Sequence, residues 1–325
     1  MADAPLLEVR SLEVTIPTAG RALPAIRGID LTVAPGETLG LVGESGCGKS
    51  ITMLAVMGLL APHVRVIGSV RFRGQELVGR PQKDLAKLRG ARIGMIFQDP
   101  MTALNPVLTI GAQIAETIRI HDASVTADGA LKRAIELLER VAIPFPERRA
   151  LQYPHELSGG MRQRAMIAMA MANGPDLLIA DEPTTALDVT VQAQIIELLQ
   201  RLRDESRMGL VLISHDLGIV AGTADRIAIM YAGRIVERGD VEAVFYQPRH
   251  PYTQGLLASL PKIDARAQRL TAIEGAPPSL ARRPIGCPFH PRCSQRIERC
   301  RQEEPALRAI GPIDVACHVA DAVSA

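Results

Sequence analysis

Tryptophan is absent from the 325-residue chain, and aromatic residues supply only 3% of it. So few rings argue against a stacking platform for single-stranded nucleic acid. Neither sign of charge is in excess: 37 Lys and Arg face 35 Asp and Glu, a net of +2. That balance gives no strong steering toward DNA or anionic lipid. Long apolar runs are also missing. The longest, Ile51 to Ala61, is about half of the roughly 20 residues that a membrane-crossing helix needs. The opening MADAPLLEVR carries acid and lacks an apolar core with a basic flank, so it does not read as a signal peptide. These absences predict a soluble, cytosolic chain with no nucleic acid among its partners. Hydrophobic residues still make up 47%, enough for one large domain or a domain with an appendage.

What is present is unevenly spread. Short apolar strands alternate with turns at the start: Leu6 to Val14, Ile29 to Val33 and Leu39 to Val42, with Pro35-Gly36 as a turn signal. After Ser50 the pattern predicts a helix, ITMLAVMGLLAP, ending near Pro62. From about 100 to 156 the chain reads as a helical insertion, with Leu131, Ile135, Leu138 and Val141 at helical spacing. From Asp176 onward, LLIADEP and LVLISHD read as buried strands around an amphipathic helix carrying Val191, Ile195, Leu198 and Leu202. RIAIMYAGRIVERG predicts a β-hairpin turning at Ala232-Gly233. Beyond about Gln247, proline and arginine become dense and Cys287, Cys293, Cys300 and Cys317 crowd together. This segment has too little apolar material for a core of its own, so something else must hold it.

The stretch Gly43-Glu44-Ser45-Gly46-Cys47-Gly48-Lys49-Ser50 has the spacing G-x-x-x-x-G-K-S of a phosphate-binding loop. Glycines let successive amides converge on phosphate oxygens, and the helix that follows adds the positive end of its dipole. Lys49 is expected to reach the β- and γ-phosphates of ATP, and Ser50 to ligate Mg²⁺. A second element agrees. The apolar run Leu177 to Ala180 ends in Asp181, placed to hold Mg²⁺, and Glu182, placed to polarise the attacking water as general base. Cys47 reads as a small residue tolerated in the loop.

Leu157-Ser158-Gly159-Gly160-Met161 resembles the signature of ATP-binding cassette proteins, usually LSGGQ. The family's other motifs have counterparts in order: Gln98 in MIFQDP, Ala186-Leu187-Asp188 after the acidic pair, and His215 in ISHD. The resemblance implies an α/β fold, a P-loop NTPase cassette with a RecA-like core, an antiparallel β subdomain and a helical subdomain at about 100–172. It implies catalytic roles for Glu182, His215 as γ-phosphate sensor and Gln98. It gives magnesium to Ser50, Gln98 and Asp181, and nucleotide contacts to residues 43–51 (Ile51 included), Ser158, Gly159, Gly160 and Asp188. Ser158 is a natural N-cap, so the signature is a helix N-terminus built to face an anion. In the family it meets ATP held by the opposite subunit. Where the family usually stacks an aromatic on adenine, LEVTIPTAG holds Ile16.

GESGCGKS, QDPMTALNP, YPHELSGGMRQR, DEPTTALDVTVQAQI, HPYTQGLLASLP and GCPFHPRC are similar to a narrower group, the ATPase subunits of bacterial oligopeptide and dipeptide importers. That resemblance implies a cassette at 1–246 and a C-terminal extension at 247–325. It implies a second, non-identical ATPase, two transmembrane permease subunits, an extracytoplasmic binding protein and a place on the cytoplasmic face of the inner membrane. The loop after Gln98 and the helical insertion would contact the permeases. Nickel, opine or glutathione import, and a non-transport cassette, are the alternatives. The cysteines are spaced C-x5-C-x6-C-x16-C, without the two close pairs favoured by zinc ribbons. Four thiolates can hold an iron–sulfur cluster, and the resemblance implies [4Fe-4S], with Zn²⁺ as alternative and His290 or His318 as substitute ligands.

Overall fold

Alternating burial builds the first sheet. The computed structural model describes residues 4–18, 20–260 and 273–321, so Met1–Asp3, Ala19, and Pro261 of HPYTQGLLASLP lie outside the described residues. The chain divides into two compact units. One holds Ala34–Glu37, Gly79–Val211 and the residues up to Leu6; the other holds Leu7–Val33, Thr38–Val78 and everything from Leu212 onward.

In the second, sheet-rich unit, β1 (Leu7–Thr18) pairs antiparallel with β2 (Arg21–Val33). Leu7, Val9, Leu12 and Val14 are buried on one side of β1. The buried β3 (Thr38–Val42) follows. Next, β4 (Arg65–Phe72) takes the other edge of β1, and the short β5 (Gln75–Glu76) completes the order β2-β1-β4-β5. This is the expected antiparallel subdomain, but β2 starts at Arg21 rather than Ile29. Pro24 and Gly28 disguise its first half; pairing of Pro24 with Thr15 across the ladder overrides their poor strand propensity. The helix after the phosphate-type loop runs Lys49–Val56 and stops short of Pro62. Gly58, at φ 61°, is the cause. Its amide bonds to Ala55 O and that of Leu59 to Leu54 O, a Schellman closure.

In the helix-rich unit, β6 (Ile93–Ile96) and β7 (Leu177–Asp181) pair in parallel and are wholly buried. Helices Ile110–His121 and Ala127–Arg140 begin with threonine caps, Thr109 and Thr126. The insertion is helical as expected, but its buried face is offset: Ala130, Ala134 and Leu138 are buried, while Leu131 and Ile135 are half-buried. Small residues take the closest approach between neighbouring helices, which a count of large apolar residues overlooks. Helices Gly159–Ala170 and Val189–Ser206 complete this unit. The buried strand β8 (Gly209–Ser214) leads the chain from the helix-rich unit into the sheet-rich one.

Strand β9 (Arg226–Tyr231) pairs in parallel with β3 and turns into β10 (Arg234–Asp240). Ala232 (φ 47°) and Gly233 (φ 81°) both take left-handed conformations, the two-residue turn foreseen. The C-terminal segment then borrows this sheet. After β11 (Arg308–Ile310), β12 (Ile313–Val315) pairs with β10, matching Glu237 to Val315 and Gly239 to Ile313. Arg238 bonds Asp314 at 2.8 Å, and Arg27 grips Glu304 with two contacts of 2.7 and 2.8 Å. Phe289 packs against the rings of Tyr231, Tyr252 and His250. Burial on existing strands thus supplies what the segment cannot supply alone. No described helix is long and apolar enough to cross a membrane.

Candidate nucleotide site

The phosphate-type loop leaves the buried end of β3 in the sheet-rich unit. Its glycines answer to their neighbours as well as to any ligand. A Cβ on Gly43 would stand 2.3 Å from the carbonyl oxygen of Met230. Gly48, at φ 112°, occupies the helix N-cap, and a Cβ there would meet Ile26 Cδ1 at 2.6 Å. Lys49 is buried, and its ammonium donates to Gly43 O at 2.7 Å and Glu44 O at 3.3 Å. Ser45 and Gly46 are exposed at the loop crest, and Ser50 and Ile51 are half-buried. Cys47 is buried, which pushes its thiol pKa up despite nearby Lys49. It is a packing residue rather than a nucleophile.

Sequence reasoning missed what holds this loop from outside. The hydroxyl of Tyr252 accepts the Glu44 amide at 2.8 Å. The Arg292 guanidinium meets both Glu44 oxygens, at 2.6 and 2.9 Å. Tyr252 is placed by the helix Pro251–Ala258, whose N-cap His250 accepts the Tyr252 amide on Nδ1 at 3.0 Å. The signal was the His-Pro-Tyr run at 250–252.

The acidic pair, Gln98 and the signature belong to the helix-rich unit. Asp181 ends β7 and is buried. Glu182 follows at φ 46°, an uncommon backbone for a non-glycine residue. Its carboxylate accepts from Gln98 Nε2 at 2.9 Å and Thr185 Oγ1 at 3.0 Å. Two residues 84 positions apart are therefore brought together. Asp99 caps the short helix Pro100–Ala103, and the buried Gln113 knits the following loop by bonding the amide of Asn105 and the carbonyls of Asn105 and Leu108.

Ser158 Oγ accepts from Met161 N at 3.4 Å, the expected cap of helix Gly159–Ala170. A Cβ on Gly160 would approach Val191 Cγ1 to 2.9 Å, so this glycine also serves packing. Asp188 is the N-cap of helix Val189–Ser206, accepting from Val191 N at 3.0 Å. In the sheet-rich unit, His215 is exposed just beyond β8, beside Asp216, which caps the next turn of helix. Ile16 is half-buried near the end of β1, opposite Leu23.

Cys287, Cys293, Cys300 and Cys317 are all buried. Burial, with Cys300, Cys317 and Cys293 nearby, pushes the Cys287 thiol up to about 12; burial, with Cys293, Cys300 and Glu237 nearby, raises Cys317 to about 11. Thiols are the donor type of iron–sulfur and zinc sites. No three His, Cys, Asp or Glu among the described residues are arranged as a metal-holding group. His290 Nδ1 lies 2.9 Å from Cys287 O and His318 Nε2 lies 2.9 Å from Glu303 O. Each ring thus has one nitrogen at a main-chain carbonyl.

A phosphate-type loop before a helix, an acidic pair ending a buried parallel strand and a capped Ser-Gly-Gly helix define an ATP-binding cassette of the P-loop NTPase class. The family profile described as ABC transporter matches residues 26–185, and that of the oligopeptide/dipeptide transporter C-terminal region matches 236–300. The chain is 53% identical over 305 residues to the oligopeptide transport ATP-binding protein OppD of Mycobacterium tuberculosis, covering 94% of this chain and 50% of that protein. It is 49% identical over 307 residues to OppD of Salmonella typhimurium, covering 94% and 91%. Among solved structures it resembles a dimeric bacterial ABC transporter cassette (TM-score 0.66, 28% identity, 72% of this chain and 98% of that one). It also resembles CbiO1 of Clostridium perfringens, part of the ABC transporter complex CbiONQ (TM-score 0.63, 26% identity, 75% and 92%). The chain belongs to the oligopeptide/dipeptide branch of the ABC transporter ATP-binding family. It spans about half the length of the mycobacterial relative.

Proposed function

We propose that the chain is the ATP-hydrolysing subunit that energises import of dipeptides or oligopeptides through an ABC transporter. One observation carries the reading: Glu182, at the end of a buried strand, has its carboxylate oriented by hydrogen bonds from Gln98 and Thr185. Loop amides and Lys49 bind the β- and γ-phosphates, with the ammonium exchanging its carbonyl partners for phosphate oxygens. Glu182 takes the proton of the attacking water, and His215 contacts the γ-phosphate. Ser50, Gln98 and Asp181 would hold Mg²⁺, which supplies charge neutralisation on the phosphates. Ser158, Gly159 and Gly160 present helix amides to ATP bound by a second, non-identical ATPase subunit, and Asp188 completes that contact. Peptide as cargo rests on the names of the relatives; nickel, opine or glutathione is the alternative.

In this reading 1–246 is the cassette, with its helical subdomain at about 100–172, and 247–325 the extension. Two permease subunits dock on the helical part, where a groove is lined by Leu108, Ala112, Ile120, Leu131 and Leu151. Val107, Ile120 and Leu151 are largely exposed there. An extracytoplasmic binding protein delivers the cargo, and the chain works at the cytoplasmic face of the inner membrane. Cys287, Cys293, Cys300 and Cys317 would hold a [4Fe-4S] cluster, or Zn²⁺, which would supply the compensating charge that four buried thiolates require. The test is Glu182→Gln in the full chain. ATP binding should persist while turnover falls by about 10²–10⁴ or more. Wild-type turnover in that variant would sink the assignment, and uptake of labelled peptide against Ni²⁺ by the assembled transporter would decide the cargo.

A further inference from the structure

We propose that Arg292 and Tyr252, from the segment that follows the cassette, are positioning residues for the phosphate loop, acting through Glu44. The inference rests on the reading of that loop as an ATP site.

Glu44 is tied at every polar group. Its amide goes to Tyr252 and its carboxylate to Arg292. Its carbonyl accepts from Cys47 N at 3.3 Å and from Lys49 Nζ at 3.3 Å. The contacts to Arg292 and Tyr252 thus end, one residue further on, at the ammonium that binds phosphate. The two anchors are themselves fixed. Only 5% of the Arg292 side chain is exposed. Its Nε donates to Glu274 O at 3.0 Å, and Nη2 also reaches Ile273 O at 3.3 Å. Its guanidinium lies 5.9 Å from the ring centres of both Tyr231 and Phe289. Hydrogen bonding to Glu44 outweighs the burial of the guanidinium and raises its pKa, so the cation is permanent. Tyr252 is fully buried, and burial raises its hydroxyl above the ordinary range, keeping the phenol neutral as an acceptor.

A bridge that only fastened the segment to the cassette would need neither the Glu44 amide nor its carbonyl. A surface ion pair would be worth little, but this one is bidentate, shielded and attached to the loop itself. Its loss should therefore appear in nucleotide affinity rather than in the chemical step.

The test is equilibrium binding of fluorescent ATP, with ATPase KM and kcat, on the full chain carrying Arg292→Met, Glu44→Gln, both together, Arg292→Lys or Tyr252→Phe. Arg292→Met should weaken ATP binding and raise KM about tenfold, the equivalent of one well-formed hydrogen bond, with kcat within about threefold. Glu44→Gln should match it, the double variant should be no worse than either single one, and Arg292→Lys should recover part of the loss. Tyr252→Phe keeps the ring and removes only the acceptor, so it covers the case in which Arg292→Met does not fold; about threefold weakening is expected. ATP affinity within twofold of wild type in Arg292→Met or Tyr252→Phe, or losses that multiply in the double variant, would overturn the inference alone. A wild-type chain that binds no ATP would overturn the functional reading as well.

Discussion

Glu237, fully buried on β10, gives the fold a pH signature that one substitution should erase. Its carboxylate accepts from Arg249 N at 2.6 Å and, with both oxygens, from His250 N at 3.3 Å. Burial outweighs these donors and raises the carboxyl from 4.5 to about 7. The folded chain keeps a proton that the unfolded chain releases near pH 4.5, so stability falls as pH rises from about 4.5 to about 7. At about 1.36 kcal/mol per pH unit, the interval is worth roughly 3 kcal/mol. His250 acts in the opposite sense. Burial lowers its imidazole from 6.5 to about 3, so its contribution is present above pH 6.5 and is lost as pH falls toward 3. Between pH 4.5 and 6.5 the two slopes offset each other in the wild type. Glu237→Gln retains an oxygen for both amides and removes one slope. Its stability should rise with pH up to about 6.5 and exceed wild type at pH 8 by up to roughly 3 kcal/mol, less about 1 kcal/mol if the new amide lacks an acceptor. Urea unfolding midpoints at pH 4.5, 6.5 and 8 would show this. Parallel pH profiles for variant and wild type would refute the reasoning.

Gly43→Ala pushes a methyl into the Met230 carbonyl, so it should lose about 2 kcal/mol of stability together with ATP binding. Gly46→Ala meets nothing within 4 Å and carries only its φ of 78°; it should cost about 1 kcal/mol in the same denaturation assay. A chain ending at Tyr246 strips β12 from β10 and opens the strand edge at Glu237, Arg238 and Gly239, together with the Val236 carbonyl. It should self-associate with rising concentration in sedimentation, and a clean monomer would count against the sheet's dependence on its last strands.

Much of this architecture is legible because its signals are local. The phosphate loop, the acid-terminated strand β7, the Ser158 cap and the turn at Ala232-Gly233 each occupy a few consecutive residues whose chemistry dictates their conformation. Pairings across the chain escape such reading. Strands of three residues such as β11 and β12 carry no measurable period, and β2 is hidden by Pro24 until its partner strand is known. Gly58 ended a helix that the apolar run would have extended to Pro62, because a left-handed residue is not distinguished from any other glycine by sequence. At the site, Lys49 and Glu182 announce their chemistry, but the partnership of Gln98 with Glu182 spans 84 positions. That of Arg292 with Glu44 spans 248. Neither separation leaves a periodic trace.

The hairpin tip adds one more brace to the loop: Gly233 N donates to Cys47 O at 2.9 Å, and Arg27 N to Gly233 O at 2.9 Å. With Met230 behind Gly43 and Tyr252 on Glu44, the loop's backbone is held by contacts within the fold itself. Ordering a backbone residue costs about 1–2 kcal/mol in entropy, and here that cost falls on folding rather than on binding. Stiffness of this kind is preorganisation: a ligand of such a loop would not have to order its backbone.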